Sequence, residues 1–359
     1  MNKNKECPEG KVLNPITGRC INKEALDKKN KKKEKDEQKR LLLTDLMPNN
    51  KKIIDNLKIL ADYERINNEP FKVKAYEKVI EAIELLDKDI ETLEDIKSIK
   101  GVGKKIEDKL IEFLNTGNIT EADNAQNDPR YILGNKLKSI YGVGPAKINE
   151  LMQKIKDFDE LKEHSELLNE KQKIGLKYYD DMNLRIPITE GRKHFKIVDK
   201  ILKGLDKKND IEFEFVGSYR RKNKDMGDID ILIKNKQGLV LKDIIKQLEG
   251  SGYIIEKLAL GNNKFMGLCR LLPELPARRI DILIADPSHY YFALLYFTGS
   301  YSFNIHMRKI ALKKGLSLSE YGFKDISNSK NMIDTSDIIH SEEDIFKYLE
   351  MAYVEPSKR

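Results

Sequence analysis

Three short strings in the second half of the chain carry side chains suited to phosphoryl transfer: Gly217-Ser218, Gly227-Asp228-Ile229-Asp230 and Arg279-Ile280-Asp281. Residues two apart on a strand share a face, so Asp228 and Asp230 project together while Ile229, Ile231 and Ile233 turn the other way into a core. Asp281 repeats the pattern, with Ile280, Ile282 and Ile284 as its apolar comb and Arg279 on the carboxylate side. Converging carboxylates repel each other unless cations stand between them, and hard oxygen donors of this kind suit magnesium. The spacing predicts a phosphoryl-transfer site for two Mg2+ ions, with Mn2+ able to substitute, and a nucleoside triphosphate. Asp-x-Asp alone is often only a solvated strand edge. The Gly-Ser pair upstream and the third acid argue for a site here.

The elements that must hold these residues follow from the apolar pattern. Beyond Ile188 short β-rich runs at Ile211–Val216, Ile229–Ile233 and Arg279–Ile284 alternate with helical segments such as Phe195–Leu205, which predicts a mixed sheet with helices. From about Leu41 the pattern is helical, with Ile53, Ile54, Leu57, Leu60 and Ala61, then Tyr76, Val79, Ile80, Ile83 and Leu86 at three- and four-residue intervals. A repeat follows: Ser98-Ile99-Lys100-Gly101-Val102-Gly103 and Ser139-Ile140-Tyr141-Gly142-Val143-Gly144, each ahead of a helix-forming segment. Gly101, Gly103, Gly142 and Gly144 let the backbone turn tightly and bring its amides near a phosphate, the form of a helix-hairpin-helix. Two copies bearing Lys104, Lys105 and Lys147 suit a non-specific grip on a DNA backbone. A last, mostly helical region begins at Tyr290, and in it Asn304 and Arg308 lie four apart on one helix face.

At 359 residues the chain has room for two or three domains. With 40% hydrophobic and 35% charged residues it reads as a soluble protein. The longest apolar stretch, Tyr290 to Phe297, is too short for a membrane span, and the N-terminus has no signal-peptide pattern. An intracellular location is expected. Residues 1–40 carry 13 Lys or Arg against 7 Asp or Glu, so nearly all of the +7 net charge sits there, and contact with a polyanion in the body must be local. This stretch is expected to be a disordered, solvated tail. Cys7, Cys20 and Cys269 are too few for a four-cysteine zinc site or a disulfide scaffold. The segment from Cys7 to Cys20 resembles a short module found at the ends of proteins from large double-stranded DNA viruses. That resemblance implies a viral source, and with it a host cytoplasm, a nucleus or a virion as the compartment.

Seven strings in order carry a wider resemblance: Gly101-Val102-Gly103, Ile174-Gly175-Leu176-Lys177-Tyr178, Arg185-Ile186-Pro187, Gly217-Ser218-Tyr219-Arg220-Arg221, Gly227-Asp228-Ile229-Asp230, Arg279-Ile280-Asp281 and Tyr296-Phe297-Thr298-Gly299-Ser300. Over roughly residues 50–356 the chain resembles the family X DNA polymerases, of the beta-like kind. The resemblance implies a multi-domain α+β protein: a helical lyase domain over about 41–124, a DNA-binding subdomain over 125–187, a catalytic palm over 188–287 and a nucleotide-selecting subdomain over 288–359. It implies a monomeric enzyme that fills short gaps in gapped or nicked DNA during base excision repair, taking deoxynucleoside triphosphates.

The same resemblance implies roles for single residues. Asp228 and Asp230 would bind both metals, and Asp281 only the one that activates the primer hydroxyl, with Arg279 orienting Asp281 by a charge-assisted hydrogen bond. Ser218, Arg221, the Gly227 amide and Arg185 would hold the triphosphate, since guanidinium forks fit phosphate oxygens. Tyr296 and Phe297 would contact the sugar, Gly299 would line the same site, and Asn304 and Arg308 would test base-pair shape through minor-groove acceptors. Lys109 matches the Schiff-base nucleophile of a 5′-deoxyribose-phosphate lyase, its basicity depressed by crowding from Lys72, Lys97 and Lys105, with Lys72, Tyr76 and Lys105 on the 5′-phosphate. Backbone carbonyls of Lys97, Ile99 and Val102, and of Lys138, Ile140 and Val143, would hold Na+ or K+ against DNA phosphates.

The chain departs from the family pattern at four positions. Met226 stands for a serine beside the phosphates, Lys222 for a glycine, and Tyr301 and Ile305 for an acid and a lysine. Template-independent relatives carry a glycine-tryptophan pair at the Tyr296-Phe297 position, and this chain has no Trp. Two other readings stay open: a template-independent nucleotidyltransferase, and a helix-hairpin-helix DNA-binding protein with a silent palm.

Overall fold

The computed structural model describes residues 11–13, 20–22, 47–84, 86, 88–205, 211–235, 240–326 and 332–359. They fall into two compact units, residues 35–179 and a second made of 1–34 with 180–359.

The first unit is helical: α1 (Pro48–Ile66), α2 (Pro70–Glu84), α3 (Leu93–Ser98), α4 (Lys104–Thr116), α5 (Thr120–Asn127), α6 (Pro129–Lys138), α7 (Pro145–Leu151), α8 (Phe158–Glu163) and α9 (Glu170–Lys177). Local chemistry sets several of these ends. Thr92 and Asp95 form a reciprocal capping box at the start of α3, and Asn169 with Gln172 does the same for α9. Asp128 caps α6, whose first residue is Pro129, a position where the missing N–H costs nothing. The apolar stripes named above close on one another: Ile53, Leu57 and Leu60 of α1 pack with Val79, Ile80 and Ile83 of α2 and Leu110 of α4. A separate core gathers Leu133, Leu137, Ile140, Ile148, Leu151 and Leu161 around the second hairpin.

The two Gly-Val-Gly turns have the same backbone. Gly101 and Gly142 sit at φ 90 and 79, in the left-handed region open to glycine, and Gly103 and Gly144 are the extended N-caps of α4 and α7. A side chain on Gly103 or Gly144 would meet nothing within 4 Å, so both turns present bare backbone outward. Gly175 is explained by packing. A Cβ there would come within 2.7 Å of the Tyr141 carbonyl oxygen, so α9 lies directly on the second hairpin, and Gln172 donates to the Gly142 carbonyl at 2.8 Å.

The second unit begins with β1 (Lys11–Leu13) and β2 (Cys20–Asn22), which pair antiparallel with Leu13 opposite Cys20. The stretch expected to be a tail therefore holds one paired element. Cys7 and the rest of residues 1–46 lie outside the described residues. After α10 (Tyr179–Asn183) come β3 (Ile186–Pro187), α11 (Ile188–Leu205), β4 (Glu212–Phe215), α12 (Gly217–Arg220), β5 (Asp225–Met226) and β6 (Ile229–Lys234). Then follow α13 (Leu241–Gly250), β7 (Ile254–Leu260), β8 (Lys264–Cys269), β9 (Arg278–Ala285), α14 (Tyr290–Thr298), α15 (Tyr301–Lys313), β10 (Leu316–Ser319), β11 (Gly322–Asp325) and α16 (Glu342–Tyr348).

Five strands form a mixed sheet in the order β4-β6-β9-β8-β7, parallel only between β6 and β9. This is the α+β architecture that the sequence predicts. Ile229, Ile231, Ile233, Ile280, Ile282 and Ile284 are buried on one face with Val198 and Leu202 of α11 and Ile244, Ile245 and Leu248 of α13. The opposite face is not simply solvent. Leu232 and Leu283 pack with Tyr290, Ala293 and Leu294 of α14, so the helix covers β6 and β9 beyond Asp230 and Asp281. The region from Tyr290 is not all helical either, since β10 and β11 form an antiparallel hairpin beside α15. Among the described residues no helix is long and apolar enough to cross a membrane.

Candidate active site

The acids lie on the part of the sheet that α14 does not reach. Parallel pairing sets Asp230 of β6 directly opposite Asp281 of β9, with Ile229 opposite Ile280 on the other face. Asp228 immediately precedes β6. Asp281 is 7% exposed, and its carboxyl is pushed above its usual value by burial and by Asp228, with Arg279 and Lys264 partly offsetting them. Asp230 is pushed well above its usual value by burial first, then by the charges of Asp228 and Asp281, while Arg279 and Arg221 oppose the shift.

Arg279 does not bind Asp281, the partner expected for it. Its guanidinium pairs with the Asp228 carboxylate at 3.0 Å. Asp228 is thereby turned toward the arginine. Among the described residues no group of three or more His, Cys, Asp or Glu side chains is placed to hold one ion in common. The three carboxylates share a field without forming a ready cage. Their chemistry still fits divalent cations: the donors are all oxygens, and Asp230 and Asp281 are destabilised as anions by burial first and then by neighbouring carboxylates, both of which a bound cation would offset.

The Gly217-Ser218 turn stands against this cluster. Val216 donates to the Asp230 carbonyl at 2.9 Å, and Gly217 begins α12 at φ 53. A Cβ at Gly217 would overlap Asp230 Oδ2, so glycine is required both by backbone and by space. Ser218 is buried beside it. Arg221 closes the turn and donates to the Thr298 carbonyl at 2.6 Å, close to Gly299, where a Cβ would lie 3.1 Å from the Arg221 guanidinium. Arg185 forks onto Asp225 at 3.0 and 2.6 Å, near Gly227.

Two of the departures from the family pattern, Met226 and Lys222, have physical accounts. Met226 is 1% exposed, paired with Ile186 across β3 and β5, and its side chain fills the space beside Gly191; it belongs to the core. Lys222 has φ 59, the left-handed conformation that glycine adopts freely, so lysine holds the turn at a conformational cost.

From α14 and α15 come the remaining residues of this site. Tyr296 and Phe297 stack with rings 2° from parallel. Phe297 and Tyr296 border a groove of about 290 Å³ with Leu283 and Lys264, the latter paired across β8 and β9 with Leu283 and two strand positions from Asp281. Asn304 donates to the Tyr296 carbonyl at 2.7 Å, and the Arg308 guanidinium lies 5.6 Å from the Tyr296 ring centre. Tyr301, 83% exposed, leads the same face of α15.

In the helical unit Lys109 is 14% exposed and pairs with Glu121 at 2.7 Å. Crowding by Lys72, Lys97 and Lys105 is therefore not its dominant contact. Lys72 is itself bound to the buried Glu64 at 3.1 Å, and Tyr76 is buried close to Glu64 and Glu121. Sequence reasoning missed Glu64, Glu121 and also Lys78, whose side chain runs under Gly101. At the hairpin carbonyls, Ile140 already accepts from the Val143 amide at 3.1 Å.

Comparison with known proteins follows the same division. Residues 48–119 match the family model for a helix-hairpin-helix domain and 135–183 that for the fingers domain of DNA polymerase lambda. Residues 185–287 match the DNA polymerase beta palm and 293–359 the DNA polymerase beta thumb. The chain is 28% identical over 325 residues to a DNA polymerase lambda of Rattus norvegicus, covering 86% of this chain and 56% of that protein. It is 26% identical over 330 residues to a DNA polymerase lambda of Arabidopsis thaliana, covering 86% and 62%. With the DNA polymerase type-X family protein pol4 of Schizosaccharomyces pombe (strain 972 / ATCC 24843) it shares 24% over 329 residues, covering 86% and 64%. The chain thus spans between 56% and 64% of the length of these relatives. The four models follow one another as hairpin domain, fingers, palm and thumb, so along most of its length the chain is similar to DNA polymerases of the beta and lambda kind.

Proposed function

We propose that the chain is a template-directed DNA polymerase that fills short gaps during base excision repair. The observation that carries this reading is the register of Asp230 against Asp281, with Asp228 two residues before Asp230 and Gly217 packed on Asp230. Asp228 and Asp230 would hold two Mg2+ ions and Asp281 one of them. Bound there, such a pair supplies charge neutralisation of the attacking and leaving oxygens in an in-line displacement. Asp281, the more buried carboxylate, keeps the primer end in a fixed place, and Arg279 holds Asp228 until the cations arrive. Ser218, the Gly227 amide and Arg221 receive the triphosphate. Arg185 would join them by releasing Asp225. Tyr296 and Phe297 lie against the sugar, and Asn304 and Arg308 read pair shape.

The hairpins carry DNA through backbone contacts at Gly101, Gly103, Gly142 and Gly144, with Lys105 nearby and a monovalent cation at the carbonyls of Lys97, Ile99 and Val102 and of Lys138, Ile140 and Val143. Lys109 acts as the lyase nucleophile, with Lys72 and Tyr76 on the 5′-phosphate. For attack, the Lys109 amine must leave Glu121 and lose a proton.

Single-nucleotide gap filling, with and without Mg2+, tests the main reading. Incorporation of only the complementary nucleotide, dependent on the metal, is the expected result. Untemplated addition would favour the nucleotidyltransferase alternative, and DNA binding without incorporation the silent-palm alternative. Borohydride should trap a covalent adduct with incised abasic DNA, and an equally strong adduct in Lys109→Ala would remove that lysine from the mechanism.

A further inference from the structure

A buried ionic network links the thumb to the phosphate turn, and none of its members has a role so far. Glu342, 5% exposed at the start of α16, receives Arg220 through both oxygens at 3.1 and 2.8 Å. Arg359, whose side chain is fully buried, reaches the same carboxylate at 2.5 Å. The guanidinium of Arg359 is also enclosed by the rings of Phe303, Phe346 and Tyr353 at 5.3, 5.3 and 5.4 Å. Burial raises the Glu342 carboxyl, but the two arginines outweigh it and hold it below its usual value.

What Arg220 does with its other bond gives the network direction. Its Nη1 donates to Thr298 Oγ1 at 2.8 Å, while the next residue, Arg221, donates to the Thr298 carbonyl at 2.6 Å. Thr298 is fully buried and ends α14, the helix that carries Tyr296 and Phe297 and leads into Gly299. Two consecutive arginines of the Gly217-Ser218 turn therefore pin the sugar-side wall to the phosphate-side wall. A lone arginine in that place would be a desolvated charge. Glu342 makes the arrangement affordable and fixes the angle of the fork.

We propose that Glu342 is a positioning residue for nucleotide binding: acting through Arg220 and Thr298, it sets the separation of the Tyr296–Gly299 wall from the Ser218–Arg221 turn. The inference rests on the reading that these two walls hold the incoming nucleotide. It concerns affinity for that nucleotide more than the chemical step, because none of the three charged groups reaches the carboxylate cluster.

Glu342→Gln keeps the shape and removes the charge. In gap filling it should raise the nucleotide KM about 10-fold while kcat and the affinity for gapped DNA stay within about two-fold, a change of ~1.4 kcal/mol in ground-state binding. Arg359→Lys, which keeps the charge but loses the fork, should move KM the same way by less. An unchanged KM in folded Glu342→Gln overturns the proposal, as does a parallel fall in kcat and KM-independent activity that tracks lost folded protein. Failure of both variants to fold would assign the network to stability alone and overturn it equally. Absence of incorporation by the unaltered protein would instead sink the polymerase reading, so the two failures are distinguishable.

Discussion

Asp230 and Asp281 face each other as direct partners on adjacent parallel strands, both on the sheet face that α14 covers only further along. Side chains on paired positions of neighbouring strands stand about 5 Å apart at their Cβ atoms, so two carboxylates there cannot both be comfortable as anions. Burial raises both carboxyls first; the charge of Asp228 adds to each, and that of Asp281 adds at Asp230. On the proposed two-metal reading, this crowding of buried acids is the stability cost of the site.

Asp230→Asn should separate the two consequences. Without divalent cations the variant should be more stable than the unaltered protein, on the order of 1 kcal/mol, since one repelling charge is gone. Incorporation should fall by roughly a thousand-fold or more, reflecting the several kcal/mol that paired metals supply. Thermal unfolding with added Mg2+ gives an independent readout: the unaltered protein should gain stability by mass action and the variant much less. Full activity in Asp230→Asn would remove this carboxylate from the site.

Gly217→Ala places a methyl group where Asp230 Oδ2 lies and forces alanine into φ 53. The backbone strain alone is about 1–2 kcal/mol. Displacement of the Asp230 carboxylate adds a functional loss that exceeds the stability loss, so incorporation should drop by about 100-fold or more in protein that remains folded. Circular dichroism together with gap filling checks this, and a variant that loses stability yet keeps its rate would show that Asp230 tolerates the shift.

Much of this site was readable before any fold was known because it depends on period. Alternation at residues 229–233 and 280–284 assigned the isoleucines to one face, and all six are buried there. The orientation of Arg279 was not readable, since either acid was within its reach and only the register of β6 on β9 decides between them. Strands β7 and β8 escaped for a different reason: their pairing shifts register between Ile254 and Glu256 and between Lys257 and Ala259, and such irregularities break the two-residue period. Glu342 and Glu121 carried no local signal at all. Their partners lie 122 and 12 residues away, and a glutamate among other charged residues, as Glu342 is beside Glu343 and Asp344, looks like surface.

Lys222 offers a prediction of opposite sign to Gly217. Its φ of 59 is a conformation in which any Cβ is crowded. Lys222→Gly should raise stability by about 0.5–1 kcal/mol, the strain relieved less the greater entropy of an unfolded glycine. Lys222→Ala keeps the strain and should gain nothing. Chemical denaturation of the three proteins tests the argument, and equal stability of the Gly and Ala variants would contradict it.

The acid limb of the stability profile should be set in part by His194. This side chain is fully buried, bonded to the Tyr253 hydroxyl at 2.8 Å, with Glu190 3.6 Å away and Arg278 forking onto Glu190 at 2.7 and 2.9 Å. Burial lowers its pKa to about 4 despite Glu190, so the imidazole is neutral in the folded chain. An unfolded histidine takes up its proton near pH 6.5. Between these values the unfolded state binds a proton that the folded state refuses, so stability is full above pH ~6.5 and falls as pH drops toward about 4. The loss approaches ~1.4 kcal/mol per pH unit and totals on the order of 3 kcal/mol. Glu190, held below its usual value by Arg278 against the effect of burial, adds a further loss below pH ~4.3. Urea unfolding at a series of pH values should show the first slope in the unaltered protein and a much flatter one in His194→Gln, whose amide can still accept from Tyr253. An identical slope in both would mean that His194 takes up its proton without unfolding the palm.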